Sequence, residues 1–180
     1  LYNEAVKGDY DCGGLAAINY FAGEPVVGVD GGMPLFLRQP QSNFSLANFM
    51  RSHIYASFAC VKIGLDMLWK DEDVPVEKLF GHGGLFKVKG VAQQMMASAL
   101  NTAVQVNAAA SEGGAWGMAL LASFMINGNG KTLPQWLDED VFADMEKTVL
   151  SPEKDGTDGF DKFMQSYVNG LEAQRAASNK

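Results

Sequence analysis

Phe80-Gly81-His82-Gly83-Gly84-Leu85-Phe86-Lys87 is the most informative stretch of this sequence. A short run rich in Val, Leu and Phe precedes the glycines, and a long segment compatible with a helix follows them. The order is therefore strand, glycine turn, helix. Glycine lets the backbone come close to a bulky anion, and the N-terminus of the following helix presents unpaired N–H groups to phosphate oxygens.

Two interpretations of this turn remain open. The glycines either bind the phosphates of a nucleotide or only connect a strand to a helix. The pattern is neither GxxxxGK[ST] nor GxGxxG, so it predicts neither a P-loop nor a Rossmann dinucleotide site. A nucleotide is still the first ligand to expect, bound at a glycine turn that belongs to neither of these two types.

Composition restricts the function classes. With 180 residues, of which 47% are hydrophobic, the chain can bury one substantial core, so we expect one domain over 1–180. A net charge of −7 with scattered lysines and arginines argues against binding to nucleic acids or anionic membranes. The apolar stretches are too short to span a bilayer and no signal peptide opens the chain, which predicts a cytoplasmic protein. Cys12 and Cys60 have no CxxC spacing, so we expect neither a zinc site nor a disulfide.

Helical periodicity is clearest in two segments. Residues 46–69 carry apolar side chains at helical spacing after a Ser or Asn that can cap the helix, and residues 160–177 repeat the pattern at the end of the chain. We expect the apolar stripe of the first helix to lie in the core; it comprises Leu46, Phe49, Met50, Ile54, Phe58, Val61, Leu65 and Leu68.

Strands and helices alternate between these two segments. We predict a strand at 76–80, a helix at 88–100, a strand at 103–106 and an apolar helix that ends at 126. Short links in this order predict an α/β sheet with helices packed on it. Smaller expected elements are a strand at 13–21, an extended piece at 24–30, a turn at 31–34, an acidic helix at 133–142 and a polar loop at 151–158.

Three motifs, taken in order, resemble those of one protein family. They are Arg51-Ser52-His53 on the long helix, the turn from Gly81 to Lys87, and Glu112-Gly113-Gly114-Ala115-Trp116-Gly117-Met118-Ala119 at the start of the apolar helix. Over roughly residues 12–175, the chain is similar to the carboxy-terminal domain of the FGGY carbohydrate kinases. These enzymes are the sugar-kinase branch of the actin, Hsp70 and hexokinase-like ATPases.

The motifs also depart from the family pattern. His82 stands where glycine is usual, and Leu85-Phe86 replaces a pair of small or polar residues. These departures indicate a divergent subgroup that resembles xylulokinase and ribulokinase, which implies a ketopentose as the sugar.

The resemblance implies a ribonuclease-H-like α/β fold with a mixed sheet and packed helices. It also implies that the chain is the ATP-binding half of an ATP-dependent sugar kinase, with Mg²⁺ held mostly by the missing part. The sugar and the kinase's own amino-terminal domain would be its partners, and a homodimer is an open option. The nucleotide-binding residues carried over from the family are Gly81, His82, Gly83, Gly84, Lys87, Gly113, Gly114, Ala115 and Gly117.

The resemblance implies no catalytic residue within this chain. The family's general base is an aspartate in a Gly-Asp loop early in the second domain, and Gly8-Asp9 stands too close to the strand that begins at Gly13 to be that loop. The base is therefore expected upstream. The first residue is Leu1 rather than Met, which suggests an excised fragment that is inactive alone.

Two further hypotheses accompany the sugar kinase. One is a non-catalytic α/β interaction domain in which the glycines only form turns. The other is an actin-like or Hsp70-like ATPase that needs no sugar.

Overall fold

The computed structural model describes residues 1–107 and 113–178. Its helices are α1 (Tyr2–Ala5), α2 (Leu46–Lys70), α3 (Val91–Ala99), α4 (Gly113–Asn127), α5 (Leu133–Trp136) and α6 (Lys154–Ser178). Its strands are β1 (Ala16–Ile18), β2 (Leu35–Leu37), β3 (Lys78–Phe80), β4 (Ala103–Asn107) and β5 (Lys147–Leu150). Single 3₁₀ turns occupy Cys12–Gly14, Pro25–Val27 and Gly84–Lys87, and a π-helical turn occupies Leu137–Val141.

The strands of this described part form two sheets. β1 and β2 are an antiparallel pair in which Ala17 lies opposite Phe36. β3 runs parallel to β4, and β5 runs antiparallel to β4 on its other side, so the sheet is mixed and its order is β3-β4-β5. α3 makes the crossover between the two parallel strands, since such a pair cannot be joined by a tight hairpin. The predicted α/β class, a mixed sheet with packed helices, is confirmed.

The core lies where α2, α3 and α6 pack around β1. Tyr55 of α2 makes edge-to-face contacts with Phe160 and Phe163 of α6, at ring centroid distances of 4.9 and 5.4 Å. All three side chains are almost completely buried. Aromatic pairs in this geometry contribute about 0.5–1.5 kcal/mol each beyond the area that they bury. Of the apolar face predicted for the last helix, Phe160, Phe163, Tyr167 and Leu171 are therefore part of the core, whereas Val168 is 47% exposed.

The apolar stripe of α2 is buried only in its middle. The helix begins after Ser45, whose hydroxyl oxygen accepts a hydrogen bond from the Asn48 backbone N–H at 3.2 Å. Ile54 is buried in the core, as the spacing predicts. In contrast, the prediction is wrong for Leu46, Val61 and Leu68, which are 57%, 43% and 41% exposed. All buried residues of α2 lie between Asn48 and Ala59, so the C-terminal turns of this long helix are its more accessible part.

The polar loop predicted at 151–158 is wrong, because α6 already begins at Lys154. Gly156 and Gly159 look like helix breakers in the sequence, but they are sites of close packing. A Cβ atom at Gly156 would lie 2.8 Å from the Ser98 side chain, and one at Gly159 would clash with the backbone of Tyr10. The absence of side chains lets this first part of α6 lie directly on its neighbours.

Several smaller predictions also need correction. The extended piece at 24–30 is interrupted by the 3₁₀ turn at Pro25–Val27, whereas Glu24 and Val29 form an antiparallel β-bridge around it; the Glu24 carboxylate caps the turn by accepting a hydrogen bond from the Val26 N–H at 3.1 Å. The strand at 13–21 shrinks to β1, because Gly13 and Gly14 take positive φ angles of 60° and 75°. The acidic helix at 133–142 is α-helical only in α5 and continues as the π-helical turn. β2 and β5, of three and four residues, were not predicted because such short runs carry little alternation.

α4 differs from the other long helices because its apolar side chains remain accessible. It carries no charged residue, and none of its residues is buried. Met118, Met125 and Ile126 are 69%, 87% and 83% exposed. A helix that is apolar on all sides is normally buried in a larger protein. Among the described residues, no helix is both long enough and apolar enough to cross a bilayer.

Candidate nucleotide site

The glycine turn continues the parallel strand pair. Beyond the end of β3, the Gly81 N–H donates a hydrogen bond to the Gln105 carbonyl at 2.8 Å. A Cβ atom at Gly81 would lie 2.6 Å from the ring of Phe86 and 3.0 Å from Val106, so this glycine is needed for packing. The other two glycines have different roles.

Gly83 is required by its backbone conformation. Its φ and ψ angles are 102° and −179°, a combination that essentially only glycine adopts. Its carbonyl accepts a hydrogen bond from the Phe86 N–H at 3.1 Å, which closes the 3₁₀ turn. Gly84 has neither constraint, because its φ is ordinary and a Cβ atom there would meet no atom within 4 Å. The space beside Gly84 is therefore open.

The structure brings the glycine turn and the start of α4 together. A Cβ atom at Gly113 would lie 2.8 Å from Nδ1 of His82, so the two predicted site residues touch. Gly114 and Gly117 have open space on the same helix, and Ala115 is exposed. Glu112, the first residue of the third sequence motif, lies outside the described residues.

A cavity of about 550 Å³ lies beside the turn, at the carboxyl end of β4. Val106 joins the two features, since it lies against Gly81 and also lines the cavity. Among the described residues, its lining consists of Phe86, Lys87, Val88, Lys89, Gly90, Gln93, Val106, Asn107, Glu146, Lys147, Thr148 and Leu150. Of the predicted site residues, Lys87 lines this cavity, and the glycines and His82 do not.

The lining is cationic although the chain is acidic. The described lining contains three lysines and one glutamate, in a chain whose net charge is −7. Its volume falls within the range of small-molecule and cofactor sites. Ligands in open α/β sheets bind at the carboxyl ends of the strands. This cavity therefore suits an anionic ligand of nucleotide size.

Gln93 forms a rigid wall of the cavity and was not predicted from the sequence. Its side chain is buried, and its Nε2 donates to the carbonyls of Val104 and Thr148 at 2.9 and 3.0 Å. Its Oε1 accepts from the Thr148 hydroxyl at 3.0 Å. These bonds tie α3 to β4 and β5. The sequence held one signal for this role: Gln93 is a polar residue at a position that helical spacing assigns to the buried face of α3.

The Arg51-Ser52-His53 motif lies away from this cavity, and its members have separate contacts. Arg51 is buried and bonded to the first segment of the chain. The Ser52 hydroxyl donates to the Phe49 carbonyl at 2.8 Å. His53 lies 3.0 Å from the Asn19 amide, and partial burial lowers its pKa. The motif therefore serves α2 and its neighbours.

Asp9 has a structural role at the start of the chain. The Asp9 carboxylate accepts hydrogen bonds from the side-chain amides of Asn48 and Asn43, at 2.8 and 2.9 Å, and these bonds lower its pKa. It thereby holds the first segment against α2. Within 1–107 and 113–178, no group of three or more His, Cys, Asp or Glu residues is arranged to hold a metal ion.

Comparison with known proteins gives one family. Residues 2–126 match the model of the "FGGY family of carbohydrate kinases, C-terminal domain". None of the curated proteins matches this chain in sequence.

Solved kinase structures share the fold. A xylulose kinase from Rhodospirillum rubrum superimposes with a TM-score of 0.67 at 19% identity, over 98% of this chain and 33% of its own length. A gluconate kinase from Lactobacillus acidophilus superimposes with a TM-score of 0.74 at 15% identity, over 98% of this chain and 34% of its own length. A Plasmodium falciparum glycerol kinase, solved with ADP, superimposes with a TM-score of 0.70 at 17% identity, over 96% of this chain and 33% of its own length. At these identities the likeness concerns the fold alone, and the chain spans about a third of these kinases.

Proposed function

The chain belongs to the FGGY family of carbohydrate kinases, and we propose that it is the ATP-binding half of an enzyme that transfers the γ-phosphate of ATP to a sugar hydroxyl. Members of the family are ATP-dependent phosphotransferases. The contact between His82 and Gly113 carries the proposal, because it joins two glycine motifs at one edge of the sheet. The cationic cavity beside that contact has room for a nucleotide.

The glycine turn and the cavity have different parts in this proposal. Gly84, Gly114 and Gly117 leave open space along the turn and α4, where a ligand can approach the backbone closely. Lys87 and the other lysines of the cavity supply positive charge for phosphate oxygens. The wall beside this open space is formed by the remaining predicted site residues, Gly81, His82, Gly83, Gly113 and Ala115.

The accessible apolar face of α4 supports the proposed partner. A kinase of the family has an amino-terminal domain, and the solved relatives are about three times as long as this chain. We propose that preceding polypeptide of the same kinase covers α4, whose Met125 and Ile126 are among the most exposed apolar side chains described. That part would also bring the sugar, the general base and most contacts to Mg²⁺.

Phosphoryl transfer fits such a division of labour. The reaction depends on positioning and on neutralising charge over the phosphoryl oxygens, so one half can hold the nucleotide while the other supplies the sugar and the base. Closure of the cleft would exclude water and limit wasteful ATP hydrolysis. We propose a ketopentose as the sugar and the cytoplasm as the location. The solved relatives act on xylulose, gluconate and glycerol, so the family by itself does not fix the sugar.

Thermal unfolding of the chain with and without ADP tests nucleotide binding. A ligand that binds only the folded state at 100 times its Kd adds about 2.7 kcal/mol to the free energy of unfolding, and ADP should therefore raise the melting temperature. If saturating ADP and ATP leave the melting temperature unchanged, the interaction-domain hypothesis is favoured. In a kinase that contains this chain, ADP release without sugar would instead favour the actin-like or Hsp70-like ATPase.

A further inference from the structure

A second cavity, of about 260 Å³, lies among α2, α3 and the first turn of α6. It is less than half as large as the first cavity and is too small for a nucleotide. Its polar and charged lining includes Tyr10, Arg51, Tyr55, Lys89, Gln94 and Glu153. Arg51 is the unusual member, because it is a buried cation.

Arg51 is only 3% exposed, and its hydrogen-bond partners are neutral. Its Nε donates to the Ala5 carbonyl, one terminal nitrogen donates to the Val6 carbonyl and the other to the Tyr55 hydroxyl, each at 3.0 Å. A guanidinium has five N–H groups, so two of them remain after these three bonds. Among residues 1–107 and 113–178, no carboxylate forms an ion pair with Arg51.

The neighbours of Arg51 compensate its charge only weakly. Burial raises the pKa of Tyr55 to about 12, so its phenol stays neutral at physiological pH. The rings of Tyr10 and Tyr55 lie 5.1 and 5.6 Å from the guanidinium carbon, which gives cation–π attraction. Asp9 is close enough to feel the Arg51 charge, but its carboxylate accepts hydrogen bonds from two asparagines. Buried charges are normally paired, and this one lines a cavity.

We propose that this cavity binds a small phosphate-type oxyanion, with Arg51 as the main contact and Lys89 as a second cation. The guanidinium fork matches the geometry of phosphate oxygens, and its bonds to such an anion are charge-assisted. Glu153 is the one carboxylate in the described lining, so two cations face one acid. The main-chain carbonyls of Ala5 and Val6 hold the guanidinium in place before the anion arrives.

The position of this site suggests a regulatory role. Lys89 and Gly90 line both cavities, so an anion beside Arg51 would lie across one short backbone segment from the proposed nucleotide. Gly90 has a φ of 78°, and a Cβ atom there would meet no atom within 4 Å, so both cavities border an unobstructed stretch of backbone. We expect phosphate to change ADP affinity through residues 89 and 90. This coupling rests on the proposed nucleotide site, whereas phosphate binding itself does not.

Phosphate binding is tested without nucleotide. The ¹⁵N-labelled chain is titrated with inorganic phosphate at constant ionic strength, and the Arg51 Nε–H resonance and the melting temperature are followed. We expect that resonance to shift with saturation and the melting temperature to rise. Arg51→Lys keeps the charge but loses the fork, and it should weaken phosphate binding at least about tenfold.

Two lysine variants locate the anion if Arg51→Lys does not fold. Lys89→Gln should weaken the phosphate-dependent shift of the Arg51 resonance, whereas Lys147→Gln, which alters only the first cavity, should leave that shift unchanged. The proposal is overturned if phosphate acts no differently from chloride at equal ionic strength, or if Lys147→Gln abolishes binding while the Arg51 resonance stays still. Phosphate binding without any ADP binding would uphold the anion site and reject the proposed function.

Discussion

His82 lies against Gly113, so that a Cβ atom on the glycine would come within 2.8 Å of the imidazole Nδ1 and 3.2 Å of the imidazole-bearing Cβ. His82 is the bulky residue of the glycine turn, and Gly113 opens α4. The size of the side chain in the glycine turn and the lack of a side chain at the start of α4 are therefore linked by direct contact. The larger residue in the turn is tolerated because the facing helix position has no side chain.

The first prediction concerns that dependence. Gly113→Ala should destabilise the chain through overpacking against His82, and His82→Gly should remove this penalty, with a coupling free energy of about 1 kcal/mol. Urea unfolding of the single and double variants measures it. Gly114→Ala is the matched control, because a Cβ atom there meets nothing and should add stability through helix propensity. Additive effects of Gly113→Ala and His82→Gly would contradict the contact.

The second prediction tests the nucleotide wall at Gly84. A leucine at Gly84 has room in the free chain but would occupy the space proposed for the ligand, so ADP affinity should fall at least about tenfold while stability changes little. Gly64→Leu on α2 is the control, since Gly64 also has open space and lies away from the turn. Gly83 is unsuitable for this test, because its φ of 102° would strain any other residue. Calorimetric titration with ADP measures the affinity, and equal affinities of the two variants would place the nucleotide elsewhere.

The third prediction concerns the glycines of α6. Replacing glycine by alanine inside a helix normally stabilises by up to about 1 kcal/mol. At Gly159 the added methyl would clash with the Tyr10 backbone, which cannot move as easily as a side chain. We expect Gly159→Ala to lower the free energy of unfolding by about 2 kcal/mol, whereas Gly64→Ala should raise it. If Gly159→Ala unfolds at the same free energy as the wild type or a higher one, the segment that contains Tyr10 does not lie on α6.

The fourth prediction is a pH dependence at Asp9. Hydrogen bonds from Asn48 and Asn43 lower the pKa of this carboxyl below its ordinary value of 3.8. The unfolded chain therefore takes up the proton first on acidification, so the stabilisation is present above the ordinary pKa and is lost as the pH falls through the folded value. Asp9→Asn should be less stable than the wild type at pH 7, and the difference should shrink at pH 3. Urea midpoints at both pH values measure it, and a constant difference would argue against these bonds.

Local patterns were sufficient for the elements that surround the turn. The order of β3, the glycine turn, α3 and β4 follows from short apolar runs and glycines that are adjacent in the chain. The same holds for α2, where the spacing predicted the helix and Ser45 marks its start. The family also followed from the sequence, because its motifs are contiguous residues in a fixed order.

The α/β class, the family and the positions of the glycine motifs all follow from the order of residues along the chain. The tertiary structure decided what each glycine does: Gly81 and Gly159 are close-packing sites, Gly83 is held by its backbone angles and Gly84 faces open space. It also decided that the cavity is lined by β5 and Gln93, which no motif marks. Glycine has the same local signature in all of these roles, and the folded backbone together with the residues packed around it determines which role each glycine takes.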